Sequence, residues 1–154
     1  RLAIQFYGNM IAYEYICYRF LKYVVDVNLN NNYSVDIFIH TWDEFNFDYG
    51  AWYDSIYNYP TLNNKKLTKN DIKKIICTYK PKLFKIESLE KNTRGSVKSF
   101  NTVRELRIKY ENEKELSGTL PEKFVFSSIC AFRLGIIDGR YANEGDLVFF
   151  QIMI

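Results

Sequence analysis

Histidine is nearly missing from this 154-residue chain, which holds a single one, His40. A zinc site of the ordinary kind, assembled from several His and Cys ligands, is therefore not expected. The three cysteines, Cys17, Cys77 and Cys130, stand far apart and none has a CxxC neighbour. Each falls within an apolar pattern, which reads as buried free thiols in a reducing, cytoplasmic setting rather than as a disulfide framework. No apolar run approaches the roughly 20 residues that a membrane-spanning helix needs. Among the 7 glycines there is no GxGxxG and no P-loop, which argues against a dinucleotide dehydrogenase or an NTPase. Internal repeats and low-complexity linkers are lacking too. The opening Arg1-Leu2-Ala3-Ile4-Gln5-Phe6 already reads as a strand, so a signal peptide is not expected and the chain is read as a trimmed piece of something longer.

What is present is a core. The chain is 47% apolar and 18% aromatic, which excludes disorder and sets one globular domain over residues 1–154 as the expectation. A net charge of +3 is too small to argue for nucleic acid, and no nucleic-acid recognition motif accompanies it. The charge is uneven: residues 1–60 carry three basic and seven acidic side chains, and residues 61–100 carry eleven and three. That basic block, from Lys65 to Lys98, reads either as a surface for phosphates, anionic lipid or acidic glycan, including peripheral membrane contact, or as a solvated face.

Along the chain, Leu2 to Tyr7 suits a central strand and Gly8-Asn9 a turn. Apolar residues at helical spacing, with Ile11, Tyr15, Tyr18 and Val25 leading and Ile16, Phe20 and Tyr23 widening the stripe, predict a helix over about 10–27. Val35 to Ile39 gives a second strand. A long aromatic and polar connection from His40 to Leu67 follows, and then Thr68 with Asp71 forms a capping box for a helix to Tyr79. Its apolar face is read as Ile72, Ile75, Ile76 and Tyr79, and Pro81 ends it. Leu83 to Ile86 is a third strand, 88–98 a loop, and Phe100, Val103, Leu106 and Tyr110 mark a helix to about Leu116. Lys123 to Phe132 is apolar enough for a strand, with a helix as the alternative, and an apolar run from Leu147 to Ile154 closes the chain. This alternation predicts an α/β domain with a mostly parallel sheet flanked by helices on both faces.

Parallel strands end on one edge, so Tyr7-Gly8-Asn9 and His40-Thr41-Trp42-Asp43 are expected side by side. Gly8 would admit a ligand close to the backbone, and the following helix would aim free amides at a phosphate. Asp43 and Glu44 could take ribose hydroxyls, a base or a cation, while Thr41 and Trp42 shape a pocket. Equally open is a structural account, with His40 a satisfied buried histidine, Trp42 a core filler and Asp43 a turn residue. The stretch Phe45 to Asp54 interleaves rings with amides and acids, which suits either a glycan acceptor or a hydrophobic cluster under a loop. Late in the chain, Asp138 is the candidate general base and Arg140 the candidate partner of a diphosphate leaving group, against a plain surface ion pair.

Asp36-Ile37-Phe38-Ile39-His40-Thr41-Trp42-Asp43 resembles the "DIFIHTWD" strand of a group of viral and bacterial glycosyltransferase-like proteins. Leu2 to Met10, Ile75 to Ile86, and Ser99-Phe100-Asn101 with the helix to Tyr110-Glu111 are similar as well, so the resemblance runs from Arg1 to about Lys114. It implies a GT-A-like, Rossmann-like nucleotide-sugar fold, with the first-strand loop and Thr41-Trp42-Asp43 on the donor side. It further implies a nucleotide-sugar donor, a glycan or glycoconjugate acceptor, Mn or Mg as a diphosphate clamp, and a cytoplasmic site, the host cytoplasm for a viral member. Two departures stand out. Ile11 replaces the family's Arg after the first turn, and Asn112 to Lys123 offers no counterpart of the family's Arg- and Asp-bearing metal motif, so no metal ligand is identifiable. Ile137-Asp138-Gly139-Arg140-Tyr141-Ala142 resembles the family's later "IDDRFA" segment with Gly139 in place of the second acid. The chain is thus read as a truncated or divergent glycosyltransferase, with a non-catalytic module for glycan, lipid headgroup or protein as the rival.

Overall fold

A computed structural model of the chain describes residues 1–10, 13–45, 65–90, 95–117, 126–131 and 151–153. The elements are β1 (Leu2–Gly8), α1 (Tyr13–Phe20) running through a π-helical turn (Leu21–Val25) into α2 (Asp26–Asn30), β2 (Val35–Trp42), α3 (Lys69–Tyr79), β3 (Leu83–Glu87), α4 (Gly95–Leu116), β4 (Phe126–Ala131) and β5 (Gln151–Met153). The strands form one sheet in the order β3-β2-β1-β4-β5. The pairings β1 with β2, β1 with β4 and β2 with β3 are parallel, and only β5 runs antiparallel, on β4. The chain therefore winds outward from β1 to β3 and then crosses back to β4 on the other side of β1, reversing direction at the central strand.

Alternation of side chains along β1 and β2 explains the two layers. Leu2, Ile4 and Phe6 with Ile37 and Ile39 point to one face, where Met10, Tyr13, Phe20, Ile75 and Tyr79 close the larger core. Ala3 and Phe38 point to the other, where Val103 of α4 covers them with Tyr7, Leu83 and Tyr110 at the margin. Edge-to-face contacts bind the larger core, with ring centroids 4.8 Å apart for Phe6 and Phe20 and 5.5 Å for Phe6 and Tyr79. Such pairs contribute roughly 0.5–1.5 kcal/mol beyond the area they bury. The buried Tyr79 hydroxyl donates to the Tyr13 carbonyl at 2.8 Å, fastening α3 to α1.

Several boundaries differ from the sequence reading. The first helix buries Tyr13 and Phe20 and packs Cys17, Leu21, Val24 and Val25 against them, whereas Tyr18 and Tyr23 stand 66% and 62% exposed. A stripe drawn through those tyrosines is rotated away from the real one, because a phenol is apolar in composition yet keeps its hydroxyl in water. The same correction applies to α3, where Ile75 is buried and Ile76 is 42% exposed. Strand β2 extends through Trp42, and α4 starts at Gly95, inside the stretch read as loop. Cys17 and Cys77 are free thiols, but Cys17 is only partly buried and Cys77 is exposed, since it lies off the Ile75–Tyr79 face of α3.

The capping box is present: Thr68 Oγ1 accepts from the Asp71 amide at 3.2 Å, and the Thr68 amide donates to Asp71 Oδ2 at 2.9 Å. At the other end Lys80 takes a left-handed conformation (φ 45°) and its amide closes on the Ile76 carbonyl, so helix termination precedes Pro81. No helix of the described residues is long and apolar enough to cross a membrane.

The uneven charge has a structural reading. Acids of the first segment meet bases of the middle one, as Glu14 with Lys74 (2.8 Å), Asp36 with Lys82 (3.6 Å), and Asp43 and Glu44 with Lys66 (2.7 and 2.9 Å). Asp36, buried between β strands, is also bound by Arg1. Of the eleven basic residues of the block, Lys66, Lys74 and Lys82 are thus paired with acids of the first segment.

Candidate functional site at the carboxyl edge of the sheet

In the register of β1 and β2, Tyr7 lies opposite His40 and Gly8 opposite Thr41. The two strand ends are therefore adjacent, and winding reverses on the other side of β1, between β1 and β4. In open α/β sheets this is the position where a crevice opens for ligands. Gly8 has a φ of +99°, a conformation that suits glycine, and a Cβ built there would meet no heavy atom of the described residues within 4 Å.

Strand alternation divides the neighbouring side chains between the two faces. Tyr7, His40 and Trp42 face α4. Tyr7 meets Phe100 edge-to-face at 5.7 Å, His40 meets Trp42 at 4.9 Å, and Lys98 Nζ sits 5.8 Å from the Trp42 ring centroid. Gly95 lets the start of α4 come close, since a Cβ there would touch Leu89 at 3.0 Å and Trp42 Nε1 at 3.5 Å. Thr41, fully buried, belongs to the opposite face by the same alternation. Asn9 is half-buried beside Gly8.

A polar line crosses the α4 face of this edge. The Gly8 amide donates to Ser99 Oγ at 2.8 Å, Ser99 Oγ lies 2.6 Å from His40 Nδ1, and His40 Nε2 lies 3.0 Å from Glu87 Oε2. Lys85 Nζ completes it, 3.0 Å from Glu87 Oε1. Ser99 and His40 are both completely buried. Burial holds the His40 pKa below its ordinary value, with Lys85 and Lys98 acting in the same direction and Glu87 against it. Lys85 holds Glu87 below the usual carboxylate range, so Glu87 is ionised and acts only as an acceptor. His40 Nε2 must then carry the proton, leaving Nδ1 to accept from the Ser99 hydroxyl.

Asp43 marks the end of β2. Its amide donates to the Glu87 carbonyl at 2.9 Å, and its Oδ2 accepts from Lys66 Nζ at 2.7 Å and Ser88 Oγ at 2.6 Å. Burial opposes the charge of Asp43, but these two donors outweigh it and hold the pKa below normal. The other oxygen, Oδ1, is shielded from solvent and has no hydrogen-bond partner among the described residues. A buried acceptor left in this way costs about 1–3 kcal/mol and has capacity for an arriving donor.

Ser99, Glu87, Ser88, Lys66 and Lys98 were not singled out from the sequence as members of this edge. Their partners lie as far as 91 residues away, and no local spacing signals them. Asp138, Arg140, Ile11 and the aromatic stretch after Phe45 lie outside the described residues. Phe45 itself is buried and stacked on Tyr13, with centroids 6.4 Å apart. Comparison with protein families, with curated proteins and with solved structures finds no match for this chain.

Proposed function

We propose that this chain is a glycosyltransferase-like domain of Rossmann-like, GT-A-like type, which binds a nucleotide-activated sugar at the carboxyl edge of its sheet and transfers the sugar to a hydroxyl acceptor. The observation that carries the reading is the end of the central strand at Gly8, paired with Thr41 on one side and bordering on the other the place where strand order reverses, between β1 and β4. The turn Tyr7-Gly8-Asn9 brings backbone to the donor. Asp43 Oδ1 offers a free acceptor for a ribose hydroxyl or a base amine, and Lys66 balances its charge. The resemblance of the Asp36–Asp43 strand to glycosyltransferase-like proteins adds the donor class, and the Gly-flanked turn late in the sequence supplies Asp138 as base and Arg140 as partner of the diphosphate.

A divalent clamp fits poorly here. Among the described residues no group of three His, Cys, Asp or Glu side chains is placed to hold a metal, and Asp43 and Glu44 share Lys66 instead. No step is therefore routed through Mn or Mg. This neutralised acidic pair is what favours the second reading, a non-catalytic glycan-binding module at the same edge. Thermal shift with UDP, GDP and dTDP sugars, with and without Mn²⁺, tests donor binding, and failure of every donor to stabilise the protein refutes it. Release of nucleoside diphosphate then separates the enzyme from the module.

A further inference from the structure

The outer side of the layer formed by α1, its π-helical turn, α2 and α3 carries chemistry that the edge of the sheet does not use. Among the described residues nine large apolar side chains are exposed, and five of them, Tyr18, Tyr23, Val27, Leu29 and Ile76, belong to these helices. Tyr18 and Tyr23 flank one ammonium, with Lys22 Nζ 5.7 Å and 5.2 Å from their ring centroids. The two rings share a side because the turn Leu21–Val25 is π-helical, a rare geometry that recurs at functional positions. Tyr13 lies against Asp71, Glu14 against Lys74 and Phe20 against Tyr79, so α1 and α3 run side by side in the same direction. Glu14, Tyr18 and Lys22 follow at four-residue steps, which carries the stripe along the flank next to α3.

Charge on this layer is one-sided. Its helices and the cap of α3 bear Arg19, Lys22, Lys69, Lys73, Lys74 and Lys80 against Glu14, Asp26 and Asp71. Lys74 takes Glu14, and Asp71 is held in the cap at Thr68, which leaves five exposed cations against one exposed acid. Helix α4, on the other layer, has five cations against four acids and pairs Arg107 with Glu111 and Lys109 with Glu113. We propose that the outer face of α1, α2 and α3 docks on an anionic lipid bilayer, with the α1–α2 helix lying in the interface plane. The cations answer a negatively charged headgroup layer, while the tyrosines set their rings at the acyl boundary and keep their hydroxyls in water. A second copy of the chain would set these cations against themselves, which disfavours self-association through this face. The surface lies on the helices and not at the strand ends, so its test is read apart from donor binding.

That test is flotation of the intact chain with vesicles of phosphatidylcholine, alone or with roughly one-third phosphatidylserine. Binding should be confined to the anionic vesicles and should weaken as salt is raised. Lys22→Gln and Lys73→Gln should each lower the partition coefficient about fivefold, and Tyr18→Ser with Tyr23→Ser should lower it by at least about as much. Arg104→Gln and Lys109→Gln on α4 should leave it unchanged. All six positions are exposed, so every variant should keep the native circular dichroism. The proposal is overturned if the chain does not float with anionic vesicles or binds both kinds equally. Equal losses from the α4 variants, or indifference to the tyrosine pair, overturn it too. So does a dimer, seen by sedimentation, that the tyrosine pair of substitutions dissolves.

Discussion

Replacing Gly8 by alanine separates the demand of the backbone from the demand for space. A φ of +99° places the residue where an L side chain costs roughly 1–2 kcal/mol, and among the described residues no steric collision adds to that, because Cβ would meet nothing within 4 Å. Alanine also narrows the unfolded ensemble, which offsets about 0.4–1 kcal/mol of the strain. The expected net loss is therefore roughly 0.5–1.5 kcal/mol, small against the ~5–15 kcal/mol of a domain this size, so the variant stays folded. Urea unfolding followed by circular dichroism should show a lower midpoint with an unchanged slope. Donor binding should suffer more. The added methyl stands over the strand end, and affinity for a nucleotide sugar should fall at least about tenfold, or ~1.4 kcal/mol. An unchanged affinity would remove the donor from this position. A stability loss above about 3 kcal/mol would show that the space is filled by packed atoms.

Other perturbations test the frame around the site. Tyr79→Phe deletes the hydroxyl that donates to Tyr13 and leaves a buried carbonyl without that partner, for an expected loss of about 1–2 kcal/mol in urea unfolding; an unchanged midpoint would contradict the contact. Thr68→Ala removes one half of the capping box and should cost about 1 kcal/mol, with reduced amide protection confined to the first turn of α3. Lys80→Gly relieves a left-handed lysine at the end of α3 and should raise stability by about 0.5 kcal/mol, and a decrease would deny that conformation. Stability should also decline in two stages on acidification. A neutral, buried His40 with a depressed folded pKa contributes fully above the unfolded value of about 6.5 and loses that contribution as pH falls. Asp43, Asp71 and Glu87, also depressed, contribute above about 4 and lose it as pH drops through their folded values. A flat profile between pH 6.5 and 5 would show that His40 is not buried in its neutral form.

The strands and the capping box were legible because their signals are local. Leu2 to Tyr7 and Val35 to Ile39 announce themselves by apolar runs of strand length, and Thr68 with Asp71 by spacing alone. That the first two strands end side by side could also be inferred, because alternating strands and helices favour a parallel sheet, whereas the order of the remaining strands was not. The facing of the helices was harder to read. Tyr18 and Tyr23 matched a helical period as well as Tyr13, Cys17, Phe20 and Leu21 do, and only packing on β1 decides between them. Harder still was the neighbourhood of His40. Its hydrogen-bond partners Ser99 and Glu87 lie 59 and 47 residues away, brought in by two different crossovers, and either is unremarkable where it stands in the chain. The sequence could offer both a ligand-facing and a buried histidine, and the fold places this ring in a fully enclosed, doubly bonded setting.

The order of strands bears on how the molecule assembles during synthesis. Residues 1–87 can lay down β1, β2 and β3 from neighbouring segments, but the second edge of β1 waits for Phe126–Ala131, more than a hundred residues downstream. Until then the central strand has an unpaired rim, the feature through which nascent chains join to one another. Slow translation beyond α4 should therefore favour aggregation over folding, and a chain cut after Leu116 should carry that open rim permanently.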